Sequence, residues 1–128
     1  MTWLAALAVA VGAALGGLLR WLFSTGFNGL WPHLPAGTLL ANWLGAYVVG
    51  ILAALFAANP AWSDTMRLLL ITGLLGGLTT FSTFSLEAVS LMQRQLWLPA
   101  ISHISLHLVG SILLTVAGFA TVAMLRQV

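Results

Sequence analysis

The sequence predicts an all-α membrane protein of four transmembrane helices, the third broken near the bilayer midplane. Composition is the first reason. Of 128 residues, 61% are hydrophobic and 5% charged, whereas soluble domains carry roughly 25% charged residues. The mean hydropathy, +1.08, points the same way. The second reason is the spacing of the charges, which leaves residues 1–19, 21–63, 68–86 and 95–125 free of them. A spanning helix needs about 20 mostly apolar residues. The second stretch is too long for one span, and Asn28-Gly29 and Pro32-His33-Leu34-Pro35 divide it. The third reason is a run of glycines and hydroxyls inside the third span, residues 76–85, GGLTTFSTFS.

Helix one covers about residues 3–24. Residues 1–17 lack a basic leader, and their apolar run continues past the small residues into Leu18, Leu19, Trp21 and Leu22, so they read as a retained span rather than a signal peptide. Helix two covers about 37–58 and ends at Asn59-Pro60, because proline disfavours helix in the residue before it. Ser63 or Asp64 caps helix three, about 65–93 with its break at 76–80. Helix four covers about 98–125, with Pro99 tolerable in its first turn. Residues 1–128 therefore form a single domain.

Several function classes are excluded. The chain has no cysteine, so it offers no thiolate chemistry or disulfide. Four arginines against Asp64 and Glu87 are too few for a nucleic-acid footprint. No nucleophile–base pair can be assembled, so an enzyme is not expected. With the amino terminus inside, Arg67 and Arg126 fall on one side and Arg20 and Arg94 on the other. The positive-inside rule is then tied. Either another feature sets the topology, or the chain inserts in both orientations and pairs head to tail. Small residues at i,i+4, namely Gly12/Gly16, Ala46/Gly50 and Gly73/Gly77, let helices approach closely.

At 1.5 Å per residue, helix three would be roughly 43 Å long, so Gly76-Gly77-Leu78-Thr79-Thr80 falls near the midplane. Glycine tolerates backbone that frees carbonyls, and freed carbonyls inside a membrane can hold a small cation. Close packing by the glycines, with hydroxyls bonded to the preceding turn, is the other reading. Phe81 and Phe84 share a helix face; they either face lipid or turn their weakly electropositive ring edges inward, where they suit an anion. Ser82, Thr83 and Ser85 add donors beside them. The Asn42 amide is either a helix–helix hydrogen bond or a ligand contact. His103, His107, Ser111 and Thr115 form a stripe on helix four, where no carboxylate or cysteine completes a metal site, so the histidines read as packing or interfacial groups. Glu87 can pair with Arg20, which can equally snorkel to the headgroups. A structural ion pair, or a bond from Glu87 to a neighbouring helix, is expected rather than a proton relay.

The string GGLTTFSTFS on the third of four helices resembles the signature of the Fluc (CrcB) fluoride channels. Gly16-Gly17-Leu18-Leu19-Arg20-Trp21 is similar to the family's G-x-x-L-R-W, and Gly37-Thr38-Leu39-Leu40-Ala41-Asn42 to its G-T-L-x-x-N. Gly110-Ser111 stands where the family has Gly-Ser. The resemblance implies an antiparallel, dual-topology homodimer in the bacterial inner membrane, with two pores passing fluoride out of the cell and rejecting chloride. By matched position it implies that Asn42, Phe81, Ser82, Thr83, Phe84 and Ser111 line the pore. It also implies that the carbonyls of Gly76 and Thr79 hold a structural sodium ion at the dimer axis. His103 stands where some relatives have an aromatic hydroxyl residue, and no role is carried over to it. The rival readings are a proton-coupled exporter like the small multidrug-resistance proteins and an accessory subunit without transport. The exporter mechanism wants an acid in helix one, and this chain has none there.

Overall fold

The structure is a computed structural model that describes residues 2–127. It contains four helices long and apolar enough to span a membrane: α1 (Trp3–Phe27), α2 (Ala36–Ala58), α3 (Asp64–Gln93) and α4 (Trp97–Leu125). Among the described residues there is no strand, only a bridge between Trp31 and Leu34 in the α1–α2 turn.

Local chemistry explains the ends. The Thr2 hydroxyl accepts from the Ala5 N–H at 3.2 Å and starts α1, satisfying one of the donors a helix leaves free at its N-terminus. α1 runs three residues beyond its expected end, and Asn28 closes it by donating its N–H to the Ser24 carbonyl. The Asn28 amide then bridges to α2: Oδ1 accepts from the Thr38 N–H at 3.0 Å, and Nδ2 donates to the Thr38 hydroxyl at 3.3 Å. Ser63, rather than Asp64, caps α3 by accepting from the Met66 N–H at 3.1 Å.

α3 has two parts. Its first half runs through Asp64–Arg67, a π-helical stretch Leu68–Leu75 and a short turn Gly76–Leu78. Thr79 and Thr80 are then extended (φ −82°, ψ 154° and φ −148°, ψ 121°), and Phe81–Gln93 forms the second half. The break is thus narrower than residues 76–80. Gly76 and Gly77 stay helical, and the two threonines carry the interruption. The π-helical stretch was not expected from the sequence; π-turns are rare and occur mainly as local bulges in helices.

α1 packs along the first half of α3, α2 packs along α4, and the second half of α3 rests on α4. The small residues singled out in the sequence do their work inside the protomer. A Cβ at Gly16 would overlap the Leu74 carbonyl oxygen, and one at Gly50 would overlap that of Thr115. Ala41, Leu75 and Leu78 form the apolar centre, flanked by Leu19, Phe23 and Leu52. Many large apolar side chains, such as Leu15, Leu18, Trp21, Ile112 and Val116, face outward, as they do in a lipid solvent that is itself apolar.

Candidate functional site

The α3 break is held by α2. Asn42 Oδ1 accepts from the Thr80 N–H at 2.7 Å, and its Nδ2 donates to the Thr80 carbonyl at 3.0 Å. One side chain therefore satisfies both backbone polar groups of a residue taken out of the helical ladder, where an unmade bond would be costly. The Thr80 hydroxyl then caps the second half by accepting from the Thr83 N–H at 3.1 Å. In a continuous helix the N–H groups of Thr80 and Thr83 would close on the carbonyls of Gly76 and Thr79. Both are spent elsewhere, on Asn42 and on the Thr80 hydroxyl. The Gly76 and Thr79 carbonyls are left as hard oxygen donors, the kind a small alkali cation takes.

Behind Asn42 a chain of polar side chains crosses the protomer. Asn42 Nδ2 also donates to His107 Nδ1 at 3.0 Å. His107 and His103 lie one turn apart on α4 with ring centroids 4.4 Å apart, and both are buried. His103 Nε2 is 3.4 Å from Glu87 Oε2 and 3.4 Å from the Phe84 carbonyl. The Thr38 hydroxyl donates to Glu87 Oε1 at 2.7 Å, and Thr38 is fully buried. The chain thus joins Asn28, Thr38, Glu87, His103, His107, Asn42 and Thr80.

Two clefts flank this chain. One, of about 480 Å³, is lined by Asn42, Gly76, Thr79, Thr80, Phe81, Phe84, His107 and Ser111 among others. The other, of about 320 Å³, is lined by Asn28, Trp31, His33, Glu87, Ser90 and Arg94 among others. Phe81 and Phe84 lie 5.4 Å apart by ring centroid at the first cleft, and they are very differently placed. Phe84 is 7% exposed and packs on His107 at 4.7 Å, while Phe81 is 73% exposed.

Of the residues singled out in the sequence, Asn42, Phe81, Phe84, Ser111, Gly76 and Thr79 all meet at the first cleft. Ser82 and Thr83 do not line it: Ser82 is exposed, with its hydroxyl 3.4 Å from that of Thr80, and the Thr83 N–H is used in the cap. Of the two expectations for Glu87, the pair with Arg20 is not formed and the bond to a neighbouring helix is. Arg20 Nε donates instead to the Gly77 carbonyl at 3.0 Å, tying α1 to α3, and Glu87 turns to Thr38 and His103. The carboxylate missing from α4 thereby reaches the histidines from α3. Thr38 and the pairing of Glu87 with His103 escaped the sequence reading. A signal was available: Thr38/Asn42 and His103/His107 are both polar pairs at i,i+4, the spacing of one helix face.

The chain is similar to a known family over most of its length. The family described as CrcB-like protein, Camphor Resistance (CrcB), matches residues 7–119. A protein of Nitrosomonas europaea named fluoride-specific ion channel FluC is 52% identical over 125 residues, 98% of this chain and 98% of that protein. One of the same name from Chromobacterium violaceum is 50% identical over 98% of this chain and 99% of its own length. Another, from Pseudomonas putida strain W619, is 53% identical over 90% of this chain and 91% of its own.

Proposed function

The chain belongs to the CrcB-like family, and we propose that it is a passive, fluoride-selective ion channel of the bacterial inner membrane. The observation that carries this is the match along nearly the whole chain to relatives named as fluoride-specific channels. The geometry supports it. Fluoride is small and strongly hydrated, so a pore must replace its water with donors that hold it weakly enough to release it. The first cleft has hydroxyl, imidazole and aromatic edges and no formal positive charge on its wall.

The path runs from the Glu87 cleft, past the buried polar chain, to the Phe81–Phe84 cleft. Asn42, Phe81, Phe84 and Ser111 line it, and Ser82 and Thr83 supply polar surface toward a neighbouring subunit. The working unit is an antiparallel homodimer with a pore on each side. The tied arginine count supports two-way insertion, and the exposed face carrying Phe81 and Gly76 suits a second copy. The carbonyls of Gly76 and Thr79, freed from the helical ladder, would hold the structural sodium ion together with their counterparts in the second copy. Such an ion supplies fixed positive potential near the anion path.

The test is fluoride efflux from liposomes containing only this protein, with a potassium ionophore and no proton gradient. Rapid efflux of fluoride but not chloride is expected. Efflux that requires an imposed proton gradient would overturn the channel reading in favour of coupled export, and no efflux in either condition would favour an accessory role.

A further inference from the structure

Glu87, His103 and His107 each bring one possible ligand atom to within 4.8 Å of the others. Glu87 Oε2, His103 Nδ1 and His107 Nε2 are buried and have no hydrogen-bond partner. Two histidines one helical turn apart with a carboxylate make a common donor set for zinc. His103 Nε2 and Glu87 Oε2 are 3.4 Å apart. Two ligands on a tetrahedral ion with bonds of about 2.1 Å stand about 3.4 Å apart. A tightly held divalent cation here would plug an anion path.

The hydrogen bonds around Asn42 oppose that outcome. The Thr80 N–H can only donate and its carbonyl can only accept, so the Asn42 amide has one orientation: Oδ1 toward the N–H, Nδ2 toward the carbonyl. An amide nitrogen donates and does not accept. The second hydrogen of Nδ2 points to His107 Nδ1 at 3.0 Å, so that ring nitrogen must present its lone pair. An imidazole unprotonated at Nδ1 carries its proton on Nε2. The other tautomer and the doubly protonated ring would both set an N–H of His107 against an N–H of Asn42. His107 Nε2, the buried atom without a partner, is therefore an N–H donor.

We propose that Asn42 is a tautomer lock: through Thr80 it holds His107 as an Nε2–H donor, so that the Glu87–His103–His107 cluster serves a passing anion and refuses a divalent metal. The anion half rests on the fluoride-channel reading; the metal half does not. Both N–H groups of Asn42 are spent on Thr80 and His107. Asn42 is then a positioning residue, and His107 supplies the free donor. A buried N–H without an acceptor is costly, and an anion stripped of its water restores the bond. A metal would need the Nε2 lone pair, which sends the proton to Nδ1 against the Asn42 amide. Asn42 cannot turn to accept it without setting Oδ1 against the Thr80 carbonyl.

The direct experiment is 15N NMR of the full-length, histidine-labelled protein in nanodiscs, with the His107 signals identified by difference from His107→Phe. The expected pattern is an unprotonated Nδ1 and a protonated Nε2; a proton on Nδ1 would overturn the lock. Zinc titration of the same protein reads the metal half. The Asn42→Asp variant offers an acceptor to both the Thr80 N–H and a His107 Nδ1–H, which frees Nε2 as a ligand. It should bind zinc at least about tenfold more tightly than the parent, and His107→Phe in the same background should abolish the gain. Equal zinc affinity in parent and Asn42→Asp, or a gain that survives His107→Phe, would refute the proposal. If Asn42→Asp does not yield folded protein, the 15N pattern and zinc affinity of the parent decide by themselves. Fluoride efflux separates the two readings: His107→Phe should slow it, and unchanged efflux would remove His107 as donor. A parent with the expected tautomer and no fluoride efflux would sink the channel reading and leave the lock standing.

Discussion

Where α1 meets the first half of α3, helix backbones touch each other: positions 12, 16 and 77 are glycine, and a Cβ at any of them would overlap a carbonyl oxygen of the facing helix. Where α2, α4 and the second half of α3 meet, close backbone contacts at Gly50 and Gly118 are joined by side chains that reach across. Trp43 Nε1 donates to the Leu106 carbonyl at 2.8 Å, and the Thr115 hydroxyl donates to the Ala46 carbonyl at 2.9 Å. Asn42, His107 and Glu87 extend that bonding into the interior. The first seam relies on close packing, as a contact in lipid must, with the single Arg20–Gly77 hydrogen bond beside it. The second contains the buried polar groups beside which the proposed anion path runs. The first half of α3 is thus held by close packing and the second by side-chain hydrogen bonds, and the two halves join at Thr79 and Thr80.

Breaking the first seam should have the largest effect. Gly16→Leu forces a side chain into the Leu74 backbone, which cannot give way as a flexible side chain would. Overpacking costs about 1–3 kcal/mol and occasionally more, and here the expected result is loss of folded protein by size-exclusion chromatography. In the other seam, Phe84→Ile should leave that elution profile unchanged while lowering fluoride efflux at least about tenfold, or about 1.4 kcal/mol of barrier. Efflux within error of the parent would remove Phe84 from the path. Thr38→Val strips the hydrogen bond from Glu87 Oε1. It should destabilise by about 1–3 kcal/mol, seen as a lower melting temperature in detergent. Thr80→Val removes the cap of the second half of α3, for a smaller loss of about 1 kcal/mol. Ser90→Ala removes only a bond to the Leu86 carbonyl one turn back. Its effect on melting should stay within about 0.5 kcal/mol, and a larger shift would show that the second cleft depends on Ser90.

Much of the fold was legible because a membrane span is a local property. Length, apolarity and the absence of charge locate each helix to within a few residues, and Asn59-Pro60 and Ser63 mark a stop and a start without reference to the rest of the chain. The break in α3 was legible as a region but not in cause. Glycine's backbone freedom suggested Gly76-Gly77, yet Gly77 is needed for contact with α1, and the Thr79–Thr80 interruption exists because Asn42 on another helix completes its hydrogen bonds. The pairing of Arg20 with Glu87, one of two expectations for that carboxylate, rested on charge alone. The Gly77 carbonyl and the Thr38 hydroxyl are nearer competitors that a charge count does not include.

The sequence by itself determined that the chain lives in a membrane, that it crosses it as four helices, and that the third carries a polar interruption. Apolar length and backbone chemistry act residue by residue, so these follow without a tertiary arrangement. Only the tertiary structure decided which polar groups meet. It brought a carboxylate from α3 to the histidines of α4, set Thr38 against that carboxylate, and turned an asparagine of α2 toward both Thr80 and His107. In a medium without water a buried polar group gains most by finding its partner within the protein. That choice depends on which helix faces lie side by side, and therefore on the glycine seams that set them there.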